Sequence, residues 1–82
     1  MNDIEVVRYI MYEQMGNFNL MMLEPMINIF GDDLSVIIDD EYTGNLDKIC
    51  LMDLYNNRSK YQYRGLSFYI PAGEYDRLIK TI

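Results

Sequence analysis

Residues 34–70 read LSVIIDDEYTGNLDKICLMDLYNNRSKYQYRGLSFYI, and the way this stretch divides decides the fold. Short apolar runs alternate here with turn residues, a punctuation that belongs to strands rather than to long helices. LSVII, residues 34–38, predicts a strand, and Thr43-Gly44-Asn45 predicts a hairpin connection into DKICLMDLY. That second run fits two periods. Read at period two it is a strand reaching Tyr55; read after an Asn45 cap, Leu46, Ile49, Cys50 and Leu54 fit helical spacing. The strand reading is preferred, because Asn56-Asn57-Arg58-Ser59 then forms a loop into a third strand, KYQYRGLSFYI. With Tyr55 opposite Lys60, Leu54 faces Tyr61 and Met52 faces Tyr63 on one side of the sheet. Asp53 then faces Gln62 on the other, flanked by Lys60 and Arg64. The apolar phase shifts by one at Gly65, from Tyr61 and Tyr63 to Leu66, Phe68 and Ile70, which predicts a bulge there.

Downstream, Pro71 ends the sheet and opens a closing helix over residues 72–82, in which Tyr75, Leu78, Ile79 and Ile82 form one apolar stripe. Glu74 and Asp76 near its start and Lys80 near its end suit the helix dipole. Upstream, residues 3–15 predict a helix with Ile4, Val7, Met11 and Met15 on one face, capped by Asn2 with Glu5 three residues on and closed by Gly16. Residues 18–30 leave two readings open around Pro25. One is a strand at 18–23 followed by a short helix; the other places a strand at 26–30. Together these elements describe an α+β fold: a small antiparallel β-meander packed with an N-terminal and a C-terminal helix, as one domain over residues 1–82.

Composition narrows the chemistry. The chain has 82 residues, of which 50% are hydrophobic and 24% charged, a globular composition. There is no histidine, which excludes imidazole bases, imidazole metal ligands and imidazole pH switches. Cys50 is the only cysteine, so neither an internal disulfide nor a CxxC site can form; in the run ICLM it reads as a small buried apolar residue. Asp3 and Glu5 stand where an export signal would carry positive charge, and no apolar run is long enough to span a membrane. The expectation is a cytoplasmic protein without a membrane contact.

The net charge of −6 hides a gradient. Residues 1–57 carry eleven Asp or Glu against Arg8 and Lys48, whereas residues 58–82 carry Arg58, Lys60, Arg64, Arg77 and Lys80 against Glu74 and Asp76. Asp32, Asp33, Asp39, Asp40, Glu41, Asp47 and Asp53 crowd one segment opposed only by Lys48, and these seven are the candidate partner-binding residues. Such a surface repels nucleic acid and suits the basic groove of a larger protein, a nucleic-acid-handling enzyme for instance. Carboxylates held on strands and turns imitate a row of phosphates without the cost of ordering a flexible tail. The plainer reading of the same acids is a solvated face that maintains solubility.

Other chemistries find less support. The pairs Asp32-Asp33 and Asp39-Asp40-Glu41 offer oxygen ligands to Mg²⁺ or Ca²⁺, but the spacing of a calcium loop is absent and adjacent strand residues point apart. Glu41 and Lys48 flank the hairpin without a spacing that forces them onto one scissile phosphate. In NNRSKYQYRG the cations and the rings of Tyr61 and Tyr63 fall on opposite strand faces, so the segment reads as core tyrosines with cations paired to acids such as Asp53, not as a stacking platform for nucleic acid. Met11, Met15, Met21, Met22 and Met26 with Phe18 and Phe30 make a soft apolar third that fills a core or forms a dimer face. The sequence thus points to a small acidic, non-enzymatic binding protein with no cofactor, an inhibitor occluding a basic surface. A phage or mobile-element counter-defence protein of the anti-CRISPR kind has this size and charge. The alternatives are an assembly subunit that homodimerises through its Met-rich face and a carboxylate-only, metal-dependent enzyme.

Overall fold

Asn2 begins the first element: its side chain accepts a hydrogen bond from the Glu5 N–H at 3.0 Å, as the capping pattern predicts. The computed structural model describes residues 2–82. Helix α1 (Asp3–Arg8) runs without a break into a π-helical turn (Tyr9–Glu13), in which the Gln14 N–H donates to the Tyr9 carbonyl five residues back. This wider turn takes in an extra residue. Ile10 and Met11, three and four residues after Val7, are buried beside it as one helical face requires, while Met15 leaves the predicted stripe and stands 69% exposed at a positive φ of 53°. Gly16 closes the helix as expected. Its N–H donates to the Ile10 carbonyl at 2.8 Å, its φ is +90°, and a Cβ there would press on the Tyr75 ring at 3.1 Å.

Strand β1 is only Asn17–Phe18. Asn19 then caps a 3₁₀ turn (Leu20–Met22) by accepting from the Met21 N–H, and helix α2 (Leu23–Phe30) follows. No strand forms at 26–30. Pro25 is tolerated because it sits in the first turn, where its missing N–H would have had no intrahelical partner. The Asn28 amide donates to Asp3 Oδ2 at 2.9 Å, which ties the last part of α2 to the start of α1, and the two helices pack against each other.

The hairpin forms where the sequence placed it. Strands β2 (Ser35–Asp40) and β3 (Leu46–Cys50) pair with Val36 opposite Ile49 and Ile38 opposite Asp47. The strand reading of residues 51–55 does not hold, however: the chain leaves the sheet after Cys50 and forms helix α3 (Leu51–Asn56), then a 3₁₀ turn (Arg58–Tyr61). The helical rival of DKICLMDLY therefore describes its second half. Leu51 and Leu54, one helical turn apart, are both fully buried, whereas a continued strand would have sent them to opposite faces of the pleat. Tyr55 accordingly does not pair with Lys60.

Strand β4 (Leu66–Tyr69) returns to pair with β2 and not with β3, giving one antiparallel sheet in the order β1-β4-β2-β3. The α+β class, the antiparallel sheet and the helices near both termini are as read from the sequence; the strand order departs from that of a sequential meander. Gly65 explains the shift in apolar phase differently from a bulge. At φ +86° it makes the turn that admits the chain to β4, and its carbonyl accepts from the Glu41 N–H at 2.7 Å.

The layers follow from strand parity. Phe18, Phe68 and Ile38 lie in one row across β1, β4 and β2, with Val36 in the same column as Ile38, and all four are buried in the core. Val7, Ile10, Met11, Leu23, Met26, Leu51 and Leu54 from the helices complete that core. The alternate residues, Ser35, Ile37, Asp39, Ser67 and Tyr69, are only half-buried and form the outer face of the sheet. Helix α4 (Ala72–Ile79) closes the chain with Leu78 buried and with the Tyr75 hydroxyl donating to the Met11 carbonyl at 2.6 Å. Among the described residues, no helix is long and apolar enough to cross a membrane.

Candidate functional site

The seven acids divide among three places. Asp32 and Asp33 lie in the exposed loop entering β2, where the Asp32 carbonyl accepts from the Cys50 thiol at 2.7 Å. Cys50 is thus half-buried and hydrogen-bonded instead of fully enclosed. Asp53 is exposed on α3. Asp39, Asp40, Glu41 and Asp47 cluster at the hairpin, at the opposite end of β2 from Asp32 and Asp33.

Strand parity then separates the hairpin group. Asp39 and Glu41 are two residues apart and share the outer face, about 6.5 Å from one another along the strand. Asp47, opposite Ile38, is on the other face. Asp40 turns into the connection itself: its Oδ1 accepts from the N–H groups of Tyr42 at 3.0 Å and Thr43 at 3.3 Å. This is the local side-chain bonding that makes Asp a turn residue. Glu41 is also held, because the Ser67 hydroxyl of β4 donates to its Oε1 at 2.6 Å.

Asp39 and Glu41 have apolar neighbours on the outer face. Asp39 lies between Leu46 of β3 and Ser67 of β4, and the next row runs Lys48, Ile37, Tyr69. Leu46 is 60% exposed and Tyr42, at the tip of the hairpin, 77% exposed. The Tyr42 ring lies across Gly65 so closely that any Cβ at that position would collide with it. Neither the anchoring by Ser67 nor the apolar companions Ile37, Leu46 and Tyr69 was singled out from the sequence. The signal was available in the period-two parity of SVIIDDE, which puts Ile37 and Asp39 in step with Glu41.

The cations do not neutralise these acids. Among the described residues the single ion pair is Arg77 with Glu74, at 2.5 Å on α4. Arg58 donates to the Tyr55 carbonyl at 2.7 Å and stacks its guanidinium 4.2 Å from the Tyr55 ring centroid, while Lys60 and Arg64 are exposed. The expected pairing of this segment with Asp53 is therefore absent. Tyr61 packs against the core as expected, but Tyr63 is 56% exposed. In the Met-rich third, Met11 and Met26 are core residues while Met15 and Met21 project into solvent.

Among the described residues no three Asp, Glu or Cys side chains converge on a common point that could hold a metal, and no concave pocket is present. What the hairpin offers chemically is two carboxylates on one sheet face, Glu41 held by Ser67 and Asp39 without a hydrogen bond. Compared with protein families, with curated proteins and with solved structures, the chain has no match in any of the three.

Proposed function

We propose that the protein is a small non-enzymatic inhibitor that occludes a basic, nucleic-acid-binding surface of a larger protein. The observation that carries this reading is the state of the hairpin carboxylates. Asp39 and Glu41 stand on one sheet face without an ion-pair partner among the described residues, and Glu41 is fixed by Ser67. Like charges two residues apart without a cation between them repel one another, which folding alone does not favour. Held on a hairpin, they meet a cationic groove already ordered, so little side-chain entropy is lost on binding.

The reading is tested by immobilising the full chain, passing a cell extract over it, and eluting retained proteins with a salt gradient. The expected result is a basic protein released as ionic strength rises, whose binding to nucleic acid is blocked by added free chain. Retention that is insensitive to salt, or a retained protein that still binds nucleic acid when saturated with the chain, would overturn it.

A further inference from the structure

Met15 and Met21 are methionines that the core does not use. Met15 is 69% exposed and is, among the described residues, the one non-glycine with a positive φ, 53°, a left-handed conformation that glycine or asparagine adopts at lower cost. Met21 is 87% exposed on the 3₁₀ turn Leu20–Met22, where the Asn19 side chain accepts from its N–H at 3.0 Å, so its backbone is fixed while its side chain stands free. The two flank β1, the edge strand farthest from the β2–β3 hairpin. By contrast, Met11 and Met26 are fully buried, and Met22 and Met52 are half-buried.

We propose that Met15 and Met21 are reversible oxidation sites that take an oxygen atom from a hydroperoxide, either hydrogen peroxide or an alkyl analogue. The proposal is independent of the inhibitor reading. A thioether sulfur attacks one peroxide oxygen: the S–O bond forms as the O–O bond breaks, the proton of the transferred hydroxyl passes to the departing oxygen, and water or an alcohol leaves. Sulfur is oxidised by two electrons and the peroxide is reduced by the same two. The step needs no neighbouring acid or base, only an open path to sulfur, so exposure decides which methionines react. Its product is a polar, chiral sulfoxide. In the core the new oxygen would lack a hydrogen-bond donor; at Met15 and Met21 water supplies one. Oxidation there changes the surface and spares the fold, and the sulfoxides stay within reach of a reductase.

The test treats the folded full chain with tert-butyl hydroperoxide and locates each added oxygen by fragment-ion sequencing, with the same treatment in urea as the reference. The expected result is one added oxygen on each of Met15 and Met21, at least about tenfold faster than on Met11 and Met26, and loss of that difference in urea. The doubly oxidised chain keeps its cooperative thermal transition, and two methionine sulfoxide reductases, one for each epimer, return it to the parent mass. A companion chain carrying Met15→Leu and Met21→Leu, treated alike, separates out any effect of peroxide at Cys50. Oxidation of Met11 or Met26 as fast as that of Met15 and Met21 in the folded chain would overturn the assignment. So would loss of the thermal transition on oxidation that the companion chain does not share, or sulfoxides that the reductases leave in place.

Discussion

Asp40 and Asp39 are neighbours with opposite roles. Asp40 holds two turn N–H groups, so Asp40→Ala should destabilise the fold by about 1 kcal/mol, while Asp40→Asn, which keeps the acceptor oxygen, should be close to neutral. Asp39 makes no such bond, and Asp39→Asn should leave stability unchanged or slightly higher. Urea unfolding of the three variants separates these outcomes. Gly65 belongs to the same turn region: at φ +86° and under the Tyr42 ring, Gly65→Ala should cost about 2 kcal/mol or more, and Tyr42→Ala should recover the part that comes from the collision. The acidity of this segment was legible in the sequence. The division of labour was not, because Asp39, Asp40 and Glu41 are alike as letters and differ only in the direction that strand parity and the turn give them.

At the scale of elements, the helices near the two ends were legible because each carries its own signal, a cap in α1 and an apolar stripe in α4. Asn2 and Glu5 mark the start of α1, and Leu78 in α4 is buried. Leu78→Ala should cost about 2–4 kcal/mol in chemical denaturation, a large share of the stability of so small a domain. A protein truncated after Pro71 that remained as stable as the full chain would contradict that role for α4. The misread elements failed for a common reason: a tertiary choice overrode a local period. DKICLMDLY satisfies both periods, and the burial of Leu51 and Leu54 decides for a helix in its second half. Met15 is near the Val7 and Met11 face on a continued α-helix, but the helix has ended by Gln14 and Met15 turns outward at a positive φ. Met15→Lys should therefore change stability by less than about 0.5 kcal/mol, whereas Met11→Ala should cost about 2–5 kcal/mol. Equal effects of the two in a thermal melt would contradict this placement of Met11 in the core and Met15 outside it.

At the scale of the whole molecule, charge and layering act together. All the helices with buried residues contribute to one core, to which the Ile38 side of the sheet belongs, while Asp39 and Glu41 lie on the opposite face of the hairpin. The basic segment, Arg58 to Arg64, follows α3 and reaches the sheet only at Gly65, so the cations do not pair with Asp39 or Glu41 although the two segments meet there. That segregation is the physical basis for reading the acids as a working surface and not as one half of an internal salt-bridge network. It was only half legible beforehand: the gradient is plain in the sequence, but which acids share a face depends on register.

The most direct measurement compares retention of a cell-extract protein on three immobilised chains: the parent, Asp39→Lys with Glu41→Lys, and Lys60→Glu with Arg64→Glu. Each variant is first shown to fold by its unfolding curve. The account predicts that the parent and the Lys60/Arg64 variant retain the same basic protein and release it at similar salt, and that the Asp39/Glu41 variant does not retain it. Retention by the Asp39/Glu41 variant together with its loss from the Lys60/Arg64 variant would contradict the account and move the binding surface to the basic segment.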